Sequence, residues 1–467
     1  MNQILLRMKN YFSTLLLVLS LSILVACTKN KSEETVRTEE ENALAPPLPQ
    51  ANITFEKYSI LPTKDTVIHH QSGAVITIPK NAFLDENGNS VTKPVAVKFR
   101  TFSNPLETYL AGIPMEITDQ DGNTQVFESA GMFEINASFK GKNLKVNPEN
   151  KIKVGLPSYT ADTKFNTYDL DSTSNTWKLN GKDNINVIKE SDELDALPEV
   201  PIEPKIATKF SFQVFDKLNK NDKLEMYKDV WFDPIDGKKC GFDFAKDIIV
   251  ENLNNGTYQV TFVPWNKIPD TVKTKCICTL SFKDNTSYNK ALKAYKRKYA
   301  SLLNKVEKEK AIIEKRWAIY REKRRVYQAY FLNKNMDKLN ESQKIMRTLE
   351  VSNFGIVNLD WPHAYPQGAN VAPIFVDEDG NALALKNVIL IEKGENAIYR
   401  YPNNIYFNPN EENTLIGITA NGLLAYYTTN DFKSLPSTKE KVVFKMRVHP
   451  VPLQSYEEIV KVFFSKS

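Results

Sequence analysis

Three groupings in this 467-residue chain have the residue types and spacing to do chemistry: its cysteines, its histidines and carboxylates, and one dense run of lysine and arginine. Cys276-Ile277-Cys278 on an extended strand would point both sulfurs to one face, because side chains alternate along a strand. Cys240 could form a disulfide with either Cys276 or Cys278, and spacing does not choose between them. A zinc site is less well supported, since no histidine lies nearby in sequence and C-x-C alone is a poor ligand set. Between Lys290 and Arg325, fourteen Lys and Arg stand against four Glu, a net charge of +10. Such a segregated field attracts anions. Lys290, Lys293, Lys296, Arg297, Lys298, Lys315, Arg316, Arg321, Lys323, Arg324 and Arg325 are therefore the candidate contacts for an anionic partner.

The remaining groups argue for structure rather than reaction. Asp85 to Asn89, Asp119 to Asn123 and Asp377 to Asn381 cluster carboxylate and amide oxygens of the kind calcium takes. Each is too short for a helix-flanked calcium loop and lacks its terminal glutamate, so all three read as hairpin turns in which Asp, Asn and Gly tolerate positive φ. His69 and His70, adjacent on a strand, would face opposite ways and would not easily chelate one metal; His363 follows Trp361-Pro362 in an aromatic loop and His449 precedes a proline, and all four read as structural or exposed. Glu107, Glu116 and Glu128 have the chemistry of glycosidase acids, but sequence does not place them across one cleft. There is no G-x-S-x-G, H-E-x-x-H, phosphate loop or dinucleotide fingerprint. No metal or cofactor is expected, and the chain reads as non-enzymatic. The competing class is a secreted carbohydrate-active or peptide-processing enzyme with a site assembled from distant residues.

The elements that must position these groups begin with residues 1–26. Arg7 and Lys9 precede an apolar run from Tyr11 to Ala26, shorter than the roughly 20 residues a spanning helix needs, which is the pattern of a signal peptide. Its removal would lower the formal charge from +5 to +3, a balance that names no partner. Leu24-Val25-Ala26-Cys27 resembles the lipobox of bacterial lipoproteins. That resemblance implies acylation of Cys27 and membrane anchoring through it, and two or more acyl chains hold a soluble domain firmly where one does not. It also implies an oxidising compartment for the other three cysteines. Residues 27–52 are polar, then acidic, then proline-rich, and form a tether that as a coil would span roughly 25 to 30 Å. Ser32-Glu33-Glu34 resembles the acidic export mark of surface lipoproteins of Bacteroidota-type bacteria. The implied location is the outer membrane, lipid-anchored, and on this mark the cell surface. An exported chain is not expected to meet nucleic acid, so an anionic glycolipid or an envelope protein is the partner expected at the basic run.

From about Ile53 the hydrophobic period is two. VAVKFRTF and KIKVGLP alternate, and MFEINASF places Phe133, Ile135, Ala137 and Phe139 on one face, the mark of a half-buried strand. The expected fold is mainly β, antiparallel sandwiches in several domains with a long helical insertion. The expected divisions are a first β domain over 53–190, a linker over 191–205, a second β domain over 206–286, a basic amphipathic helical segment over 287–349 and a third β domain over 350–467. SGAVITIPKNAF, with VAVKF and GMFEINASF after it, resembles the β-sandwich domain of zonula-occludens, netrin-receptor and ankyrin proteins, which implies an interaction module without catalytic residues. In the helical segment, Leu292, Tyr299, Val306, Ile313, Tyr320 and Tyr327 recur at sevens, but Glu309, Arg316 and Lys323 interrupt the companion positions of a zipper. Asn333 to Asn340 would turn the chain into a second, shorter helix ending near Leu349. The reading as a whole is a lipid-anchored binding or scaffold component of the cell envelope.

Overall fold

The computed structural model describes residues 44–118, 122–171, 173–215, 222–241, 245–265, 274–330, 339–401, 403–435 and 441–464. The signal segment, Cys27, the acidic mark, Asp119 to Asp121 and most of the expected turn after Asn333 lie outside them. The fold is mainly β, built from sheets paired mostly antiparallel, with one long helix, Asn285–Tyr330. Its residues group into two compact units, one running to Lys189 and resuming at Arg316, the other Glu190–Lys315.

In the first unit an eight-stranded sheet orders its main strands Glu56–Ile60, Val95–Phe102, Thr124–Phe139, Gly355–His363, Asn166–Asp171 and Thr176–Gly181. A five-stranded sheet orders Asn184–Lys189, Gln343–Val351, Ile152–Ser158, Val75–Ile78 and Thr66–His69. The two share a core of Ile76, Ile78, Val97, Phe99, Phe133, Ile135, Val154, Leu349 and Leu359, all buried. The sandwich expected over 53–190 is thus completed by strands from far down the chain.

That corrects two expectations. The second helix ending near Leu349 is the strand Gln343–Val351, paired on one side with Ile152–Ser158 and on the other with Asn184–Lys189. Two open sheet edges satisfy its backbone on both sides, and this tertiary pairing overrides the local helical pattern. The β domain expected from 350 is not separate either. Met132 and Phe127, on the opposite face of Thr124–Phe139 from Phe133, pack with Ile389, Ile391, Ile416 and Ile418 of the C-terminal sheets. The strand is half-buried only toward its end, where Glu134, Asn136 and Ser138 are partly exposed.

The second unit has a five-stranded sheet in which Thr274–Phe282 lies between Thr257–Val263 and Lys205–Ile206 and also pairs with Trp231–Pro234. Val214, Phe232, Val260, Phe262 and Cys278 form its core. The expected linker carries a short helix, Glu190–Asp195, and runs into the first strand of this sheet. The long helix is shared: residues through Lys315 belong to the second unit, those from Arg316 to the first.

Candidate functional site

The structure divides the eleven candidate cations into different environments. At the helix start, the Asp284 carboxylate accepts the Ser287 N–H at 2.7 Å, capping the first turn. The Tyr295 hydroxyl donates to the Pro201 carbonyl and its ring meets Tyr299 at 5.1 Å, so this stripe faces its own unit. Lys290, Lys293, Lys296, Arg297, Lys298 and Lys315 are exposed. With 3.6 residues per turn, Lys290, Lys293, Arg297, Lys308 and Lys315 fall in a sector of about 60°, opposite Leu292, Tyr295, Tyr299 and Val306. The glutamates of this stretch lie to either side, Glu309 near Lys305 at 3.9 Å and Glu314 near Lys310 at 3.8 Å. The row is about 38 Å long at the helical rise.

Beyond Lys315 the helix is packed. Trp317 is fully buried with the Lys344 ammonium 4.5 Å from its ring centre, and Tyr320 and Tyr327 are buried. Arg316 and Arg321 are half-buried. Arg324 donates to the Leu339 carbonyl at 3.0 Å, and Arg325 donates to Glu322 at 2.8 Å. Lys323 turns toward a cleft. The later cations thus sit in different surroundings from the earlier ones, because packing of the last turns half-buries or pairs Arg316, Arg321, Arg324 and Arg325.

The cleft lies in the first unit and consists of two cavities, of 390 and 520 Å³, that share Thr101, Ser103, Tyr159, Lys323 and Tyr327 as walls. Its loop wall is fixed from below. Ser158 donates to the Ala130 carbonyl at 2.7 Å, ending the strand. Arg347, wholly buried, pairs with Asp183 at 2.9 Å and donates to the Thr160 carbonyl at 3.1 and 2.9 Å. These bonds set Tyr159 against Tyr327, ring centres 4.2 Å apart, with Tyr320 at 6.2 Å. Burial pushes the Tyr159 and Tyr327 hydroxyls above their usual range and Tyr320 up to about 12, so all three stay neutral donors. Lys164 pairs with Glu128 at 2.7 Å, and Glu107 accepts the Ser103 N–H at 2.6 Å and its hydroxyl at 2.9 Å.

One cluster at the cleft has the order of a nucleophile, base and acid. Ser72 Oγ lies 2.8 Å from His70 Nδ1, and His70 Nε2 lies 3.6 Å from Glu56. The contacts are those of a hairpin turn. Nδ1 also accepts the Ser72 N–H at 3.1 Å, Ser72 Oγ accepts the Ala74 N–H at 3.3 Å, and Gly73 closes the turn with positive φ. Burial, reinforced by Lys323 and only partly opposed by Glu56, lowers the His70 pKa to about 4. A base that weak takes a serine proton poorly near neutrality, so the cluster braces a turn.

The other expected residues are separate. Cys240 and Cys276 form a disulfide, and Cys278 is buried with its thiol pushed up to about 12, chiefly by burial. Asp85 and Asp377 each accept two backbone N–H groups of their own turns, at 2.8 and 2.9 Å and at 2.8 and 3.0 Å; the Asn89 N–H chiefly holds Asp85 below its usual range, and the Asn381 side-chain amide, at 3.1 Å, chiefly holds Asp377 there. His69 is exposed and His70 buried, on opposite faces as expected. His363 pairs with Glu395 at 3.3 Å, and His449 meets the Val451 carbonyl at 2.8 Å. Of the three glutamates, Glu128 and Glu107 line the two cavities of the cleft, held by Lys164 and Ser103, whereas Glu116 lines neither, its carboxyl raised by burial and only partly offset by the charge of Arg400. Sequence reasoning missed the cleft; the signal available to it was Arg347, a charge set among Ile345, Met346 and Leu349 in KIMRTLEV. No protein-family profile matches the chain, and no curated protein or solved structure is significantly similar to it.

Proposed function

We propose that this chain is a non-enzymatic binding component of the bacterial cell envelope, anchored to the outer membrane by lipid on Cys27, whose basic helix face rests on anionic glycolipid headgroups. The observation that carries the reading is the row Lys290, Lys293, Arg297, Lys308 and Lys315, exposed along one side of the helix with no glutamate within it. Protein interfaces draw their energy from aromatic and other anchors in desolvated pockets. Here Tyr295, Tyr299, Tyr320 and Tyr327 turn inward, and Ile312 is a large apolar side chain left exposed beside the row. A long line of point charges suits a surface of phosphates better than a compact protein pocket. The resemblance of the Ser72–Phe83 region to a scaffold module and the weak base at His70 support a binding role over catalysis.

Two experiments in intact cells test this. Cys27→Ala should move the protein out of the membrane fraction; retention there through high-salt washing would mean that lipid on Cys27 is not the anchor. A photo-crosslinker at Ser301, between Arg297 and Lys305, should yield a glycolipid adduct. A specific envelope protein caught instead, and lost in a Lys290→Glu/Arg297→Glu variant, would replace the lipid surface with that partner.

A further inference from the structure

We infer that the cleft between Tyr159 and the last turns of the long helix is a receptor for a small organic acid, with the Lys323 ammonium as the seat of its carboxylate or phosphate. This site is independent of the exposed helix face. Lys323 is half-buried and lines both cavities. The other buried or half-buried charges lining them have partners: Arg100 on Glu134 at 2.6 Å, Lys164 on Glu128 at 2.7 Å, and Glu107 on Ser103. Glu322 is paired with Arg325, and Glu457 stands exposed at the rim. Among the described residues, Lys323 has neither a carboxylate nor a carbonyl bonded to it. A half-buried ammonium with no carboxylate bonded to it is free to take up a ligand anion, which it would hold more tightly than at a fully exposed position.

The surroundings define the rest of the ligand. Tyr159, Tyr320 and Tyr327 give an aromatic wall with neutral hydroxyl donors, and the Thr101 and Ser103 side chains lie on the wall shared with Lys323. A cavity of 390 or 520 Å³ is the size of small-molecule sites, which combine an apolar lining with a few fixed polar groups. The fitting ligand is compact, with one acidic group and a flat or apolar body. His70 reports occupancy, because Lys323 is one of the charges that hold its protonation down. An anion seated on Lys323 would offset that charge and let His70 take up its proton at higher pH.

The test uses the full mature chain and four probes: benzoate, phenyl phosphate, inorganic phosphate, and phenol as the uncharged ring. Binding is read by titration calorimetry and by the His70 imidazole signal in NMR. We expect benzoate or phenyl phosphate to bind at least tenfold tighter than phenol and to raise the His70 titration midpoint. Their ranking decides between a carboxylate and a phosphate ligand, and binding by inorganic phosphate alone would show that the anion outweighs the ring. Lys323→Gln should abolish the preference and Lys323→Arg should keep it, while the variant Lys290→Gln/Lys293→Gln/Arg297→Gln should bind as the parent does. Equal binding of phenol and the anions, or unchanged anion binding by Lys323→Gln, would overturn the assignment.

Discussion

Arg347→Met is the perturbation that bears most directly on how the cleft is built. The guanidinium is fully buried, pairs with a nearly buried Asp183 at 2.9 Å, donates to the carbonyls of Thr160 and Asp162, and lies 5.1 Å from the Phe165 ring centre. Removing one partner of a buried ion pair leaves the other charge uncompensated, a loss of about 3–5 kcal/mol. Asp183→Asn keeps an acceptor for the guanidinium and should cost about 1.5–3 kcal/mol, the range for a hydrogen bond to a charged group. Arg347→Met/Asp183→Leu removes both charges, so its cost should fall short of the summed losses of Arg347→Met and Asp183→Leu made singly by about 2 kcal/mol, within the coupling found for residues of one network. The assay is denaturant-dependent hydrogen exchange at the amides of Gln343–Val351, which reads the first unit alone. The amides of Thr160 to Lys164 should lose protection first in Arg347→Met. A loss below about 1 kcal/mol for Arg347→Met, or strict additivity in the pair, would refute the claim that this buried pair fixes the cleft wall.

Other outcomes follow from the same structure. His70 has an ordinary pKa of 6.5 when unfolded and about 4 when folded, so its contribution is fully present above pH 6.5 and is lost as the pH falls toward 4. Unfolding free energy measured across that window should drop by up to about 3 kcal/mol in the parent, and the slope should flatten in His70→Gln; an unchanged slope would mean that His70 titrates normally. Cys278 should resist maleimide in the native protein at pH 8 and react once denaturant is added, being buried with a thiol near 12; native labelling would contradict its placement in the core. The Cys240–Cys276 bridge spans 36 residues, so its reduction should destabilise the second unit by up to about 4 kcal/mol. Equal denaturant midpoints with and without reductant would show that it contributes nothing.

Local patterns carried the elements and left their partners open. Alternation in VAVKFRTF and KIKVGLP reported one buried face, and both are strands of the first sandwich. The composition of Asn285–Tyr330, free of glycine and proline, sufficed for the helix. The Asp85 and Asp377 turns were legible because the chemistry is confined to five residues, with Gly88 and Gly380 at positive φ. What alternation does not encode is which edge a strand joins. Gln343–Val351 lies between strands 152–158 and 184–189, so the non-sequential strand order hid both the strand and the joining of the first and last β regions. The cysteine pairing was open for the same reason, since Cys276 and Cys278 share a face and only the approach of Cys240 selects one. The candidate cations were correctly seen as a charged helix, but the sequence did not show which would be exposed. Lys323 reaches the cleft because Trp317, Tyr320 and Tyr327 bury the helix there.

The measurement closest to the central claim is sedimentation of the Cys27→Ala chain, free of its lipid anchor, with vesicles of phosphatidylcholine and with vesicles that also contain phosphatidylglycerol. Binding should need the anionic lipid and weaken as salt screens the surface. Each Lys or Arg near such a surface contributes about 1 kcal/mol, so Lys290→Gln/Lys293→Gln/Arg297→Gln should weaken it by roughly 150-fold. Equal binding to both vesicle types, or an unchanged affinity in the triple variant, would contradict the account.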